Sequence, residues 1–134
     1  MATAIPTVAA GYAAAFGIFA AILTVRVILQ RVKTGVQAGD GGQVGLAQAI
    51  RAHSNFAEQL PLALLLLTIT EWIGTARTWV IVLGAVLMLA RLASAWGLSH
   101  SLGPTQPRQA GAGMTVLVVV ACSLLIAYQL WVPH

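Results

Sequence analysis

The sequence predicts an all-α protein, a four-helix transmembrane bundle running up and down across a bilayer. Of its 134 residues 59% are hydrophobic and only 7% are charged, whereas a soluble domain carries about 25% charged residues. Each end of the chain supplies an uncharged run, Ala2 to Val25 and Gln109 to Val132, and crossing the hydrocarbon core takes about 20 apolar residues. Turn-forming residues divide the chain at Gly39-Asp40-Gly41-Gly42, at Gly74, and at Gly103-Pro104 with Pro107. Residues 1–134 are therefore expected to form a single transmembrane domain.

The first helix begins without the basic n-region of a secretory signal, and its apolar run is long enough to span, so it reads as a retained helix. The second and third need more argument. Gln59 to Thr70 and Thr78 to Ala90 hold only about a dozen residues each between charges, short of a span. Carrying the second helix back through Glu58, Asn55 and Arg51 to about Leu46 restores full length, as does carrying the third forward through Arg91 to Leu98. Polar groups inside such spans are expected to face inward, because lipid offers them no partner. The fourth helix is the C-terminal uncharged run. Connections this short, apart from the first, leave neighbouring helices antiparallel. Gly11 with Ala15, and Gly17 with Ala21, have the spacing that permits close helix approach in lipid. The first and third loops carry Arg31, Lys33 and Arg108 and the second only Arg77, which puts the first and third on the cytoplasmic side and both termini outside. Trp72, Trp79 and Trp131 then fall together at the opposite interface, where indoles prefer to sit.

Several functions are excluded at this level. The net charge of +4 comes from cations scattered singly along the chain, whereas phosphate-backbone recognition needs them clustered, so no nucleic acid is expected. The single Cys122 lies in an apolar run and reads as a small buried hydrophobe. His53 has no second His or Cys at ligand spacing, so no metal is predicted and a hydrogen-bonding role is favoured. His100 and His134 read as solvated, and Asp40 as a turn residue.

What remains is a polar constellation in the second helix. At about 100° per residue, Arg51, Asn55 and Glu58 lie at i, i+4 and i+7 on one stripe, with His53 on nearly the opposite side. A cation, an amide and an anion together can hold a zwitterion bearing carboxylate and ammonium groups. Arg91 sits at comparable depth on the third helix, and Arg26 on the first can reach the same region. One reading pairs Glu58 with Arg91 or Arg51 as a buried ion pair holding helices together. One glutamate still leaves other arginines unbalanced, and an unpaired buried cation is too costly to keep unless a ligand, another subunit or water supplies the anion. Pro61, three residues past Glu58, frees the carbonyl of Ala57; it either bends the helix into a cleft or is a harmless membrane-helix proline. Arg108, just after Pro107, either reflects positive-inside bias or faces the cytoplasmic mouth of a cleft, where its charge would favour a bound thiolate.

The run Ala49-Ile50-Arg51-Ala52-His53-Ser54-Asn55-Phe56-Ala57-Glu58 with Pro61, preceded by Gly39-Asp40-Gly41-Gly42 and Leu46, resembles the bacterial branch of the MAPEG proteins, membrane-associated proteins in eicosanoid and glutathione metabolism. The resemblance implies a four-helix bundle assembled as a homotrimer in the bacterial inner membrane, with glutathione bound at subunit interfaces. It implies Arg51, Asn55, Glu58 and Arg91 as glutathione-binding residues, with Arg26 or Arg31 as the first-helix arginine and Arg108 as the thiolate stabiliser. Glutathione would also supply the missing anion, since it carries two carboxylates and one ammonium. The chain departs from the family at Ser94, where histidine is frequent, and at Ala112 and Gly113, where the eukaryotic enzymes place a tyrosine. Two functions follow as expectations. One is a glutathione-dependent transferase or peroxidase for lipophilic electrophiles entering from lipid. The other is a noncatalytic membrane module that binds an anionic amphiphile or lipid head group.

Overall fold

A computed structural model describes residues 5–132. It contains helices α1 (Thr7–Thr34), α2 (Val44–Trp72), α3 (Arg77–His100) and α4 (Gln106–Trp131). At about 1.5 Å per residue they run roughly 36 to 44 Å, more than the hydrocarbon thickness of about 30 Å. Three of them, α1, α3 and α4, are both long and apolar enough to cross a membrane, and α2 is long enough but carries the polar run in its N-terminal half. The four-helix bundle expected from the sequence is the observed fold.

Two boundaries differ from expectation for local reasons. Helix α1 continues past Val25 to Thr34, taking in Arg26, Arg31 and Lys33; cations in the last turn suit the negative end of the helix dipole. It stops at Gly35, whose φ of 71° closes the helix with its amide on the Arg31 carbonyl at 2.8 Å, a left-handed cap that glycine adopts without steric cost. Pro107 lies inside the first turn of α4 and not ahead of it, where its missing N–H costs nothing. Asp40 is the turn residue expected, its Oδ1 accepting the Gly42 amide at 2.9 Å.

Helices α2 and α3 form the central pair, with α1 and α4 each packed on both; among the described residues no Cα of α1 lies within 8 Å of one of α4. Phe56 of α2 receives Phe16 and Phe19 of α1, the second edge-on with ring centroids 5.1 Å apart. The small residues that let helices close up are not those the spacing suggested. Gly11 and Gly17 are exposed with nothing near them. The tight approaches occur at Gly84, over which the Tyr12 ring lies while its hydroxyl donates to the Ile81 carbonyl at 2.9 Å, and at Gly97 and Gly111, where α3 and α4 cross. A rule that counts only spacing cannot tell which glycine faces a helix and which faces lipid. Ile18, Leu117, Leu124 and many other large apolar side chains form an exposed girdle, as expected where the solvent is lipid. Trp72, Trp79 and Trp131 are exposed at the same end of the bundle, at the C-termini of α2 and α4 and the N-terminus of α3.

Candidate functional site

The centre of the polar constellation is Arg91, which is only 1% exposed. Its Nη1 donates to the Asn55 side-chain oxygen at 3.2 Å and to the Asn55 carbonyl at 3.4 Å, and its Nη2 donates to Ser94 Oγ at 2.9 Å. Nε is buried with no partner among the described residues. Every acceptor is neutral, and among the described residues no carboxylate oxygen lies within 4.0 Å of a Lys or Arg nitrogen. The ion pair of Glu58 with Arg91 or Arg51 is therefore not formed within the chain. A buried guanidinium satisfied only by neutral dipoles keeps most of its desolvation cost and leaves strong positive potential behind Asn55.

Arg51 and Glu58 stand elsewhere. Both are exposed, whereas Ala49, Ala52, Phe56 and Leu60 bury the other side of α2. The expectation that full-length spans force all three residues of the stripe inward is thus corrected: Asn55 at the edge of the stripe turns into the bundle, and Arg51 and Glu58 turn out of it. The reason is angular. The α2 core face is centred on Ala52 and Phe56, and at 100° per residue Arg51 and Glu58 lie well over a quarter-turn from it. The two charges sit about 10 Å apart along α2 on a face that nothing among the described residues covers. Charged side chains at bilayer depth face a partner, a ligand or water.

Arg26, Arg31 and Arg108 occupy separate places. Arg26 of α1 donates through Nη1 to Ser99 Oγ of α3, at the end of an apolar cleft of about 670 Å³. Arg31 folds back over the first loop, its Nη1 on the carbonyls of Val36 and Gly39 at 3.2 and 3.1 Å. Arg108 is half-buried in the first turn of α4, packed against Gly97, with its Nη1 at 3.4 Å from the carbonyls of Leu102 and Gly103. The structure therefore joins Arg91 with Asn55, and does not gather Arg26, Arg51 and Arg91 into one hydrogen-bonded cluster within a single chain. Pro61 is exposed and α2 remains helical through it. Cys122 is buried in α4, as read. His100 is exposed, its Nδ1 on the Trp96 carbonyl at 2.8 Å; His134 lies outside the described residues.

Two polar contacts escaped the sequence reading. Ser94, singled out in the sequence only as a departure from the family's histidine, accepts a bond from Arg91, and its position one turn further along the same face of α3 was the signal for that contact. Glu71, in the last turn of α2, holds the Val8 and Ala9 amides at the start of α1 at 3.0 and 2.7 Å. No local signal announces a carboxylate that caps a helix 62 residues away.

Fold and polar centre define an integral, multi-pass membrane protein of the small helical-bundle class, with a buried arginine held by an amide on its neighbour helix. The chain matches the profile of the MAPEG family over residues 9–128, and it belongs to that family. It is 32% identical over 123 residues to the inner membrane protein YecN of Escherichia coli K12, covering 88% of this chain and 89% of YecN. The YecN of E. coli O6:H1 strain CFT073 matches to the same extent.

Proposed function

We propose that this protein is a bacterial inner-membrane protein that binds glutathione where copies of the chain meet, as a homotrimer, and presents its thiol to lipophilic electrophiles or peroxides. The observation that carries this is the outward α2 face, on which Arg51 and Glu58 flank an Asn55 fixed from behind by Arg91. The donor set fits the ligand's charges. Arg51 can fork onto a carboxylate, Glu58 can accept from the ammonium, and the Asn55 amide nitrogen is left to donate because its oxygen is committed to Arg91. Arg91 is too buried to meet the ligand directly in one chain; it orients Asn55 and supplies the positive potential. Glutathione contributes the sulfur nucleophile, and a cation in the first turn of α4, where the helix dipole is also positive, favours the thiolate. A second copy covering the α2 face removes it from lipid and excludes water, which strengthens each of these contacts.

Titration of the detergent-solubilised protein with glutathione is expected to saturate, and Glu58→Ala to weaken binding at least about 30-fold, the lower end for truncating one partner of a desolvated charge pair. Unchanged affinity in Glu58→Ala removes the α2 face from the reading. Arg108→Ala is expected to keep binding and to abolish the thiolate absorbance of the complex at neutral pH; a thiolate band of unchanged height takes that role from Arg108.

One observation favours the noncatalytic reading. The Arg108 guanidinium already has two carbonyls of its own loop as acceptors, and a side chain so engaged has less to give a sulfur anion. Binding without conjugation of a simple aryl halide and without peroxide reduction is the outcome that selects it.

A further inference from the structure

Two apolar hollows flank α1 and meet at the same pair of residues. The cleft between α1 and α3 is lined by Phe19, Ile22 and Arg26 on one side and by Leu92, Trp96 and Ser99 on the other. A furrow of about 580 Å³ on the outer face of α1 runs from Ile18 past Ala21, Ile22, Val25 and Arg26 to Leu29 and Gln30, so that its polar residues lie toward the C-terminal end of α1. Among the described residues, Arg26 is the only charged one in either lining. It lies about 12 Å before the end of α1 at Thr34, and both hollows extend from it roughly 10 to 15 Å back toward the middle of the bilayer. Each therefore has its polar end nearest the first and third loops and its apolar end toward the midplane, the direction in which a lipid of that leaflet points.

We propose that Arg26 binds the phosphate of an anionic phospholipid, with one acyl chain in the α1–α3 cleft and the other in the furrow, the two chains straddling Ile22. The geometry selects this occupant on two grounds. Two hollows diverging from one cation match a head with two tails, whereas a single-chain acid would fill only one of them. With no carboxylate in either lining, the ammonium of a zwitterionic head would find no partner, so a head bearing phosphate alone is preferred. Nη1 of Arg26 is placed by Ser99, which leaves Nη2 and Nε as the pair that can fork onto phosphate oxygens. Basic pockets between membrane helices are known to take such head groups. This site is separate from the α2 face, and its test involves no glutathione turnover.

The delipidated protein in detergent is mixed with equimolar phosphatidylglycerol and phosphatidylethanolamine, and bound lipid is read by native mass spectrometry. Phosphatidylglycerol is expected to be retained about fivefold over phosphatidylethanolamine, the worth of one basic side chain at an anionic lipid surface. Arg26→Gln should bring the ratio close to one. Ala21→Phe, which fills the furrow at an exposed position, should lower retention of phosphatidylglycerol while sparing its single-chain lyso form. A preference unchanged in Arg26→Gln overturns the proposal, and so does equal loss of both lipids in Ala21→Phe. A change of oligomeric state in either variant assigns the hollows to a second copy of the chain, and one-for-one displacement of lipid by glutathione assigns Arg26 to the thiol site; each result overturns the lipid assignment.

Discussion

Gly111→Val is expected to leave little of the protein folded in detergent. A Cβ at Gly111 would stand 2.4 Å from the Ala90 carbonyl oxygen, 2.3 Å from Ser94 Oγ and 2.9 Å from the Ser94 amide nitrogen. Two of these atoms belong to the α3 backbone and cannot swing aside, so α4 must move away from α3. Overpacking a tight core costs about 1 to 3 kcal/mol where side chains can adjust, and here they cannot; at least about 3 kcal/mol is expected. The displacement also strikes Ser94, which accepts from Arg91. The guanidinium would lose a partner while staying buried, at a cost of about 1 to 3 kcal/mol more. Gly113→Ala is the control, since Gly113 is exposed with nothing within 4 Å; it should be neutral or stabilise α4 by up to about 1 kcal/mol through helix propensity. Equilibrium unfolding in mixed micelles measures both. Equal stability of Gly111→Val and the parent would show that the α3–α4 crossing is looser than its geometry implies.

Glu71→Ala should have the next largest effect on the fold, at the opposite end of the bundle. Helix α1 begins after Pro6 with no side-chain cap and no acid in its first turn, so its first amides need acceptors from elsewhere. The two carboxylate oxygens of Glu71 supply them, one to Val8 and one to the fully buried Ala9. The acid sits at the C-terminus of α2, where its own helix disfavours negative charge; the α1 amides offset that and tie the first helix to the second. Hydrogen bonds to a charged group are worth about 1.5 to 3 kcal/mol each. Losing both should therefore cost about 3 to 6 kcal/mol, and Glu71→Gln, which keeps one acceptor oxygen, about half as much. Hydrogen exchange at Val8 and Ala9 should accelerate together with the loss of stability. The proposed glutathione binding should not change, because Glu71 lies about 20 Å along α2 from Glu58. Exchange at those two amides as slow in Glu71→Ala as in the parent would remove the cap from the account.

Charge and polarity that belong to one helix were legible in the sequence, and relations between helices were not. The stripe of Arg51, Asn55 and Glu58 follows from counting along α2, and the spans of α1 and α4 from uncharged length. The turn at Asp40, the buried Cys122 and the grouping of Trp72, Trp79 and Trp131 at one end of the bundle were equally readable, because each depends on neighbours in the chain or on position along a span. The side of α2 that the stripe occupies relative to α1 and α3 was not readable, so Arg51 and Glu58 were expected inside. The apolar residues that set the core face are distributed all round the helix in a membrane protein, and the amphipathic contrast that orients a soluble helix is weak in lipid.

By itself the sequence determined that this chain is a four-helix membrane bundle, because hydrocarbon demands long apolar helices with their backbone bonds closed within each segment. It also determined which helix bears the concentrated polar groups. Only the tertiary structure decided that Arg91 is held by Asn55 and Ser94, that Gly111 rather than Gly11 or Gly17 is the point of closest approach, and that Glu71 caps α1. Each of those is a contact between residues distant in the chain, fixed by how helices rotate against one another. In lipid that rotation is settled by the fit of small against large side chains, which no single helix carries in its own pattern.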